Sequence, residues 1–359
     1  MKKKLTFLGI ETSCDETAAA IVQENTIGSA KILSSVVSSQ IKEHERFGGV
    51  VPELAARAHV ENIDYIINKA IEKSKISLEQ IDGIAATAGP GLVVCLNIGL
   101  SIAKSIAKFS DKPLIAVNHL EGHALSPGLE NKIHFPYLLL LISGGHSQFL
   151  IVKDVNNYKQ LGTTIDDALG EAFDKTAKML NLGYPGGPSV EKFAKKGNKK
   201  KFKLPEPIIN RAGCNMSFAG LKTAVLKEAE KIKNNRQMRY DLAASFQETI
   251  NKILRKKTQV AISQFKDITK KNQAMFVVAG GVAANSTIRQ NLTEVSKKEN
   301  FQPVFPRLEF CGDNAAMIAW AGIKKYRKKA TDDINAAKVR SRWPLDSSAP
   351  YMKGPGLKL

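Results

Sequence analysis

The chain of 359 residues is 43% hydrophobic and 24% charged, the balance of a folded protein with room for two α/β lobes. No apolar run reaches about eighteen residues, which excludes a membrane span. Four scattered cysteines without a Cys-x-x-Cys pair exclude a disulfide scaffold and a cysteine-rich zinc module, and fit a reducing cytoplasm. A formal net charge of +19 makes polyanions the expected partners, RNA first, although a lysine-rich proteome would give the same number.

The opening Met1-Lys2-Lys3-Lys4 and the apolar residues after it have the outline of a weak signal peptide. They run directly into Glu11, Cys14, Asp15 and Glu16, so a first buried strand is the better reading. Residues 5–12 and 17–22 are β-rich runs around the polar turn Ser13-Cys14-Asp15-Glu16, and 32–38 adds a third strand to a meander. Pro52 suits the first turn of a helix whose buried face carries Ile63, Ile66, Ile67, Ala70 and Ile71. A strand at 81–87 is closed by Ala88-Gly89-Pro90-Gly91. Residues 92–109 are apolar on nearly every side and predict an interior helix, with Gly99, Ala103 and Ala107 permitting close approach. A strand at 114–117 ends at Asn118-His119. Strand, helix, strand in this order is a parallel α/β unit.

The pattern then restarts. Tyr137–Ile142 reads as a buried strand, Ser143-Gly144-Gly145-His146-Ser147 as a tight turn and 148–152 as the returning strand, followed by a helical run through Ala168, Leu169, Phe173, Ala177 and Leu180. Residues 274–279 form a later strand ending at Gly280-Gly281. The echo of the opening hairpin predicts two related lobes with a nucleotide between them. Residues 185–240 are rich in Gly, Pro and Lys and predict an excursion with a small helical insert, in which Pro205-Glu206-Pro207 cannot be interior helix. The expected division is 1–118 for the first lobe, 119–340 for the second and 341–359 for an extended tail with a disordered end.

Three groups of residues carry chemistry. If the chain turns helical after Val117, His119 and His123 at i and i+4 point the same way and can share a metal; a pair of cap or surface histidines is the plain alternative. Glu121 at i+2 faces elsewhere, unlike the glutamate of a His-Glu-x-x-His metalloprotease. Asp313 opens an alanine-rich helix, either as a third ligand or as an ordinary N-cap. Two histidines and one carboxylate leave coordination positions open, as in an Fe(II)- or Zn-type site that also holds substrate. Gly144-Gly145 and Gly280-Gly281 follow apolar strands, where bare backbone can cradle a phosphate; no Rossmann or P-loop fingerprint is present. Asp167, Glu171 and Asp174 share a helical face. A dipole-favoured acidic first turn accounts for Asp166 and Asp167 but poorly for Asp174, which is therefore the candidate ligand contact.

These segments, in order, resemble the TsaD family of tRNA threonylcarbamoyladenosine transferases over nearly the whole length. The matching stretches include Leu8-Gly-Ile-Glu-Thr-Ser-Cys-Asp-Glu-Thr17, Gly48-Gly-Val-Val-Pro-Glu-Leu-Ala-Ala-Arg57, Thr87-Ala-Gly-Pro-Gly-Leu92 and Gly170-Glu-Ala-Phe-Asp-Lys-Thr-Ala177. Tyr184-Pro-Gly-Gly-Pro188, Ser217-Phe-Ala-Gly-Leu-Lys-Thr223, Ala279-Gly-Gly-Val-Ala-Ala-Asn285 and Cys311-Gly-Asp-Asn-Ala-Ala-Met317 continue it. Glu121-Gly122 favours the bacterial form. The resemblance implies the two-lobed actin-like (ASKHA) α/β fold, with duplicated RNase-H-like domains built on central mixed sheets. It implies metal ligands at His119, His123 and Asp313, with Fe(II) favoured and Zn(II) the second choice. Substrate contacts would match Ser143, Gly144, Gly145, Asp174, Gly187 and Asn285, with the strand end Leu141 and Ile142 contributing. The catalytic positions would be Asp15, which matches a residue needed for activity in relatives, and its neighbour Glu16. The reaction implied is transfer from L-threonylcarbamoyl-adenylate to N6 of adenine-37 in tRNAs reading ANN codons, with a TsaB-like paralogue and a TsaE-like ATPase as partners. Asn118 and Gly312 depart from the usual bacterial pattern (histidine and threonine), which bears on how tightly the metal is held. The competing readings are an actin-fold sugar kinase, which needs no histidine pair, and a non-catalytic scaffold of the same fold, which would lack the His/His/Asp set.

Overall fold

The computed structural model describes residues 3–25, 29–232 and 235–350. The described residues form two compact units: those within 3–134, 154–157 and 306–347, and those within 135–153, 158–305 and 348–350.

In the first unit, β1 (Thr6–Glu11), β2 (Glu16–Glu24) and β3 (Ala30–Ser39) are the expected antiparallel meander, with Leu8 opposite Ile21 and Gly9 opposite Ala20. After the short α1 (Ile41–Glu45), Pro52 opens α2 (Pro52–Ser74), where its missing N–H costs nothing. Then come β4 (Gly83–Gly89), α3 (Val93–Phe109), β5 (Leu114–Asn118) and α4 (His119–Leu125). The sheet order is β3-β2-β1-β4-β5, with β1, β4 and β5 parallel to one another. Alternate residues of these strands, Leu8, Ile10 and Ile84 among them, bury against Ile63, Ile66 and Ile67 of α2 and Leu100 of α3. Helix α3 approaches the sheet where expected: a Cβ on Gly99 would lie 2.3 Å from Thr12 Oγ1. It is not interior on all sides, however. Val93 and Val94 are exposed and Phe109 is 89% exposed, because only one stripe of the helix meets the sheet.

In the second unit, β6 (Tyr137–Ile142) and β7 (Ser147–Asp154) form an antiparallel hairpin beside β8 (Asn157–Thr163). Then follow α5 (Leu169–Met179), α6 (Gly186–Ala194), α7 (Ala219–Ile232), α8 (Arg236–Thr269), β9 (Met275–Ala279), α9 (Ser286–Lys298) and β10 (Gln302–Val304). The order β10-β9-β6-β7-β8, with β6, β9 and β10 parallel, repeats the topology of the first sheet strand for strand. The duplication read from the hairpin echo is therefore present in the strand order. Strands β8 and β10 escaped the periodicity reading, one being half exposed and the other three residues long.

Helix α10 (Ala315–Arg327) returns to the first unit and covers its sheet so closely that a Cβ on Gly9 would lie 2.2 Å from Ala315 O. Beyond it the chain straps the ends of β4 and β5. Asp332 N donates to Leu114 O at 3.0 Å, and Arg340 N to Ala88 O at 2.7 Å. The compact units thus differ from the expected division. Residues 119–134 and 306–340 group with the first unit rather than the second, because α4 and α10 pack against each other and against the first sheet. The tail expected from 341 is tied to that unit as far as 347, and its end at 351–359 lies outside the described residues.

Candidate metal centre and glycine turns

Strand β5 runs directly into α4, whose N-cap is Asn118. Its Oδ1 accepts from Leu120 N at 2.9 Å, while its Nδ2 donates to Trp343 O at 2.9 Å. The helical turn sets His119 and His123 side by side, ring centroids 4.8 Å apart and planes perpendicular. Asp313 comes from the start of α10. The cap of that helix is not Asp313 but Asn314, whose Oδ1 accepts from Met317 N at 3.0 Å, so the aspartate is free for another role. Asp313 Oδ1 lies 3.1 Å from His123 Nε2 and 3.5 Å from His119 Nε2, and one donor atom from each of the three residues falls within 4.8 Å of the others. The histidines are buried, so they are not surface residues.

Behind His119 stands Glu11, at the end of β1, which the sequence reading quoted in a motif but assigned no role. Its Oε2 is 3.0 Å from His119 Nδ1 and accepts from Thr87 Oγ1 at 2.6 Å, while Oε1 accepts from Ser13 N at 2.5 Å. With Nδ1 engaged by a carboxylate, His119 turns Nε2 toward Asp313, the arrangement that orients metal-bound imidazoles. The available signal was a lone carboxylate closing a strand that is otherwise buried and largely apolar.

Burial opposes charge on His119, but Asp313 and then Glu11 outweigh it and hold the imidazole well above the usual histidine value. Burial also works against the Asp313 charge, yet His119 and His123 keep that carboxyl far below the usual range. Glu16 goes the other way: burial, then the charges of Asp313 and Asp15, push its carboxyl well above the ordinary value. Two imidazole nitrogens and a carboxylate face one point, further carboxylates stand close by, and the buried His123 Nδ1 has no hydrogen-bond partner. This donor set fits a divalent cation, with open positions for substrate. Glu121 takes no part. It accepts from Asn156 N at 3.0 Å and lies 3.7 Å from Lys325 Nζ, as its i+2 position predicted.

Asp15 precedes and Glu16 opens β2 in the first unit, and the second unit holds the other candidates. Leu141 and Ile142 are buried at the end of β6. Ser143 N donates to His146 O at 2.8 Å, closing the β6–β7 turn, and a Cβ on Gly144 or Gly145 would meet nothing within 4 Å. The turn is packed from behind: Gly170 N donates to Ser143 O at 3.1 Å, and Gly280, at φ +95°, approaches Ile142 O where a Cβ would sit 2.4 Å away. Asn285 caps α9 through Ile288 N, and its Nδ2 donates to Gln247 Oε1 at 2.9 Å. Asp174 Oδ1 accepts from Gly186 N at 2.9 Å, which ties α5 to the start of α6 beside Gly187. This supplies the structural reason for Asp174 that the sequence reading lacked. Asp166 and Asp167 precede α5 instead of lying on it. Asp166 Oδ1 accepts from Phe218 N and Ala219 N at the head of α7, and Asp167 pairs with Lys222 at 2.5 Å.

The lysines divide. Lys192, Lys195, Lys196, Lys199, Lys200 and Lys201 are exposed. Between Lys324 and Lys329, Lys325 is buried and donates to Ala116 O, while Lys328 pairs with Asp154 at 2.5 Å, so that stretch offers no continuous cationic surface.

Among solved structures, full-length HypF in its phosphate- and nucleotide-bound form aligns over 91% of this chain and 47% of its own with a TM-score of 0.58 at 12% identity. HypF of T. kodakarensis gives 0.56 at 15% identity, over 89% of this chain and 48% of its own. At these identities the likeness shows the fold alone, the actin-like ASKHA arrangement. The family model for TsaD, tRNA N6-adenosine threonylcarbamoyltransferase, matches residues 31–320. The tRNA N6-adenosine threonylcarbamoyltransferase of Pelagibacter ubique (strain HTCC1062) is 58% identical over 359 residues, all of both chains. That of Brucella canis (strain ATCC 23365 / NCTC 10854 / RM-666) is 51% identical over 351 residues, 97% of this chain and 98% of its own. With matches of this extent, the chain belongs to the TsaD family of tRNA N6-adenosine threonylcarbamoyltransferases.

Proposed function

We propose that the chain transfers the threonylcarbamoyl group of L-threonylcarbamoyl-adenylate to N6 of adenine-37 in tRNAs reading ANN codons, releasing AMP. The observation that carries the reading is the convergence of His119, His123 and Asp313 in a chain of this family. These three would hold one divalent cation, Fe(II) in preference to Zn(II), and the bound ion supplies Lewis-acid polarisation of the carbamoyl carbonyl. Glu11 keeps the His119 ring turned so that Nε2 faces that position.

The donor's adenylate is assigned to the glycine turns at Ser143-Gly144-Gly145 and Gly280-Gly281, where backbone N–H groups suit a phosphate. Leu141, Ile142, Gly187 and Asn285 complete that set, and Asp174 acts mainly by holding the start of α6. The acceptor amine is a poor nucleophile, so orientation must supply much of the rate. Its nitrogen attacks the carbamoyl carbon, a C–N bond forms, and the C–O bond to the phosphate breaks with its electron pair leaving on AMP. Asp15, with Glu16 beside it, orients the amine and accepts the proton released.

Adenine-37 lies in a loop and need not be freed from a duplex. The exposed lysines between Lys192 and Lys201 suit contact with the tRNA backbone. A TsaB-like paralogue and a TsaE-like ATPase are the expected partners, and the cytoplasm the expected compartment. Among the described residues no helix is long and apolar enough to cross a membrane. A sugar-kinase reading leaves the histidine pair without a purpose. The test is reconstitution with threonine, bicarbonate, ATP, the adenylate-forming enzyme and the partner proteins, followed by nucleoside analysis of the tRNA. N6-threonylcarbamoyladenosine is expected. A fully reconstituted, metal-loaded system that leaves the tRNA unmodified would overturn the reading.

A further inference from the structure

Two buried histidines of the first unit, His44 and His59, touch neither the metal-binding set nor solvent. His59 lies on the face of α2 turned toward the acidic hairpin. Its Nε2 is 3.0 Å from Cys14 O, and its Nδ1 is 2.7 Å from Thr17 Oγ1. A carbonyl can only accept, so Nε2 carries the proton and Nδ1 receives one from the threonine hydroxyl. Gln40 completes the arrangement. Its backbone N donates to Asp15 O at 3.1 Å, its Nε2 donates to Ala55 O at 3.4 Å, and its Oε1 accepts from His44 Nε2 at 3.2 Å. His44 Nδ1 in turn accepts from Val51 N at 3.3 Å, immediately before Pro52 starts α2. One set of tautomers satisfies all of these bonds. The stretch from Gly48 to Arg57, which the reaction itself does not use, thus delivers His59 to the back of the turn.

Successive carbonyls of the acidic turn, Cys14 O and Asp15 O, are therefore held from behind by two different elements. Peptide planes fixed on both sides of Asp15 fix the direction of its Cα–Cβ bond, from which its side chain starts. We propose that His59, supported by Gln40, is a positioning residue for the transfer, setting the direction in which Asp15 and Glu16 present their carboxylates. The proposal rests on the role given above to Asp15. It is distinct from metal binding, because His59 contacts the turn and not His119, His123 or Asp313.

The experiment compares His59→Leu, His59→Gln and Thr17→Val with Asp15→Asn in the reconstituted transfer assay, with metal content and Tm measured on each protein. Glutamine can place an amide N–H near the position of Nε2, whereas leucine fills space without donating. H59L should lower kcat on the order of tenfold to a hundredfold, as expected for a displaced catalytic group. KM for the adenylate and the metal stoichiometry should stay unchanged, and H59Q should recover kcat to within about threefold of wild type. T17V, a near-isosteric change that leaves the His59 Nε2 bond to Cys14 O in place, should give a smaller fall in kcat, about threefold to tenfold, by removing the hydroxyl that holds Nδ1 and so loosening the ring. Equal losses in H59L and H59Q that track Tm, or unchanged kcat in T17V, overturn the proposal. An inactive D15N beside a fully active H59L overturns it while leaving the role of Asp15 standing. A fully active D15N overturns the role of Asp15 and the proposal with it.

Discussion

The β1–β2 turn of the first unit and the β6–β7 turn of the second occupy the same place in two sheets of the same order. Their chemistry is opposite. The first is filled with carboxylates, Glu11, Asp15 and Glu16, and its carbonyls are clamped by His59 and Gln40. The second has two glycines with open space around them and is held through the backbone of Ser143, Gly170 and Gly280. A hairpin end offers backbone and side chain to the same point, and the residues at the turn decide which of the two is presented. Carboxylates suit a cation and an amine, while bare N–H groups suit a phosphate.

The contrast is broken most severely at the first turn's metal-binding partner. His119→Ala should abolish transfer and reduce bound metal while far-UV circular dichroism stays native; transfer by the metal-free variant would remove the metal from the reaction. Glu11→Gln keeps the shape but weakens the hold on His119 Nδ1, and should cost about 10–100-fold in metal affinity by chelator competition.

Protonation sharpens the same side. His119 is held above its usual 6.5 in the folded, metal-free protein, so its stabilisation is complete below about pH 6.5 and is lost as pH rises through the elevated value. Asp313, held below its usual 3.8, contributes across this range and loses its contribution only in strong acid. The Tm of chelator-treated protein should therefore fall on the alkaline side, and metal binding should release a proton, measurable by calorimetry in buffers of different ionisation enthalpy. A flat alkaline Tm would contradict the ion pair.

At the second turn Gly145→Ala meets no steric obstacle, so a raised KM for the adenylate, of about fivefold or more at unchanged kcat, would mark ligand contact there rather than misfolding. Smallest per residue, each substitution of Lys195, Lys199 or Lys200 by alanine should reduce the salt slope of tRNA binding by about one if that lysine meets a phosphate. Unchanged slopes would move the RNA elsewhere.

Much of this was legible from sequence because it rests on local rules. Short, nearly continuous apolar runs closed by polar turns gave β1 and β6, Pro52 gave the start of α2, and the four-residue spacing of His119 and His123 put both rings on one side of a helix. Asp313 was legible only as an alternative between ligand and N-cap, and the structure gives the cap to the neighbouring Asn314. Asp174 looked unexplained because its partner, Gly186 N, belongs to another helix. The net charge says nothing of which lysines are covered, as Lys325 is, because sequence does not reveal which face of α10 packs against the first sheet.

The sequence by itself therefore determined most strands of both sheets, helices α2, α3 and α5, the histidine pair and the glycine turns, since each depends on neighbours a few positions away. Only the tertiary structure decided that Asp313 meets those histidines across 190 residues, that Glu11 stands behind His119, and that His59 grips Cys14 from α2. Those contacts exist because α10 returns to the first sheet and α2 packs beneath its opening hairpin. They depend on which buried faces find each other, and that is a property of the whole core and not of any window along the chain.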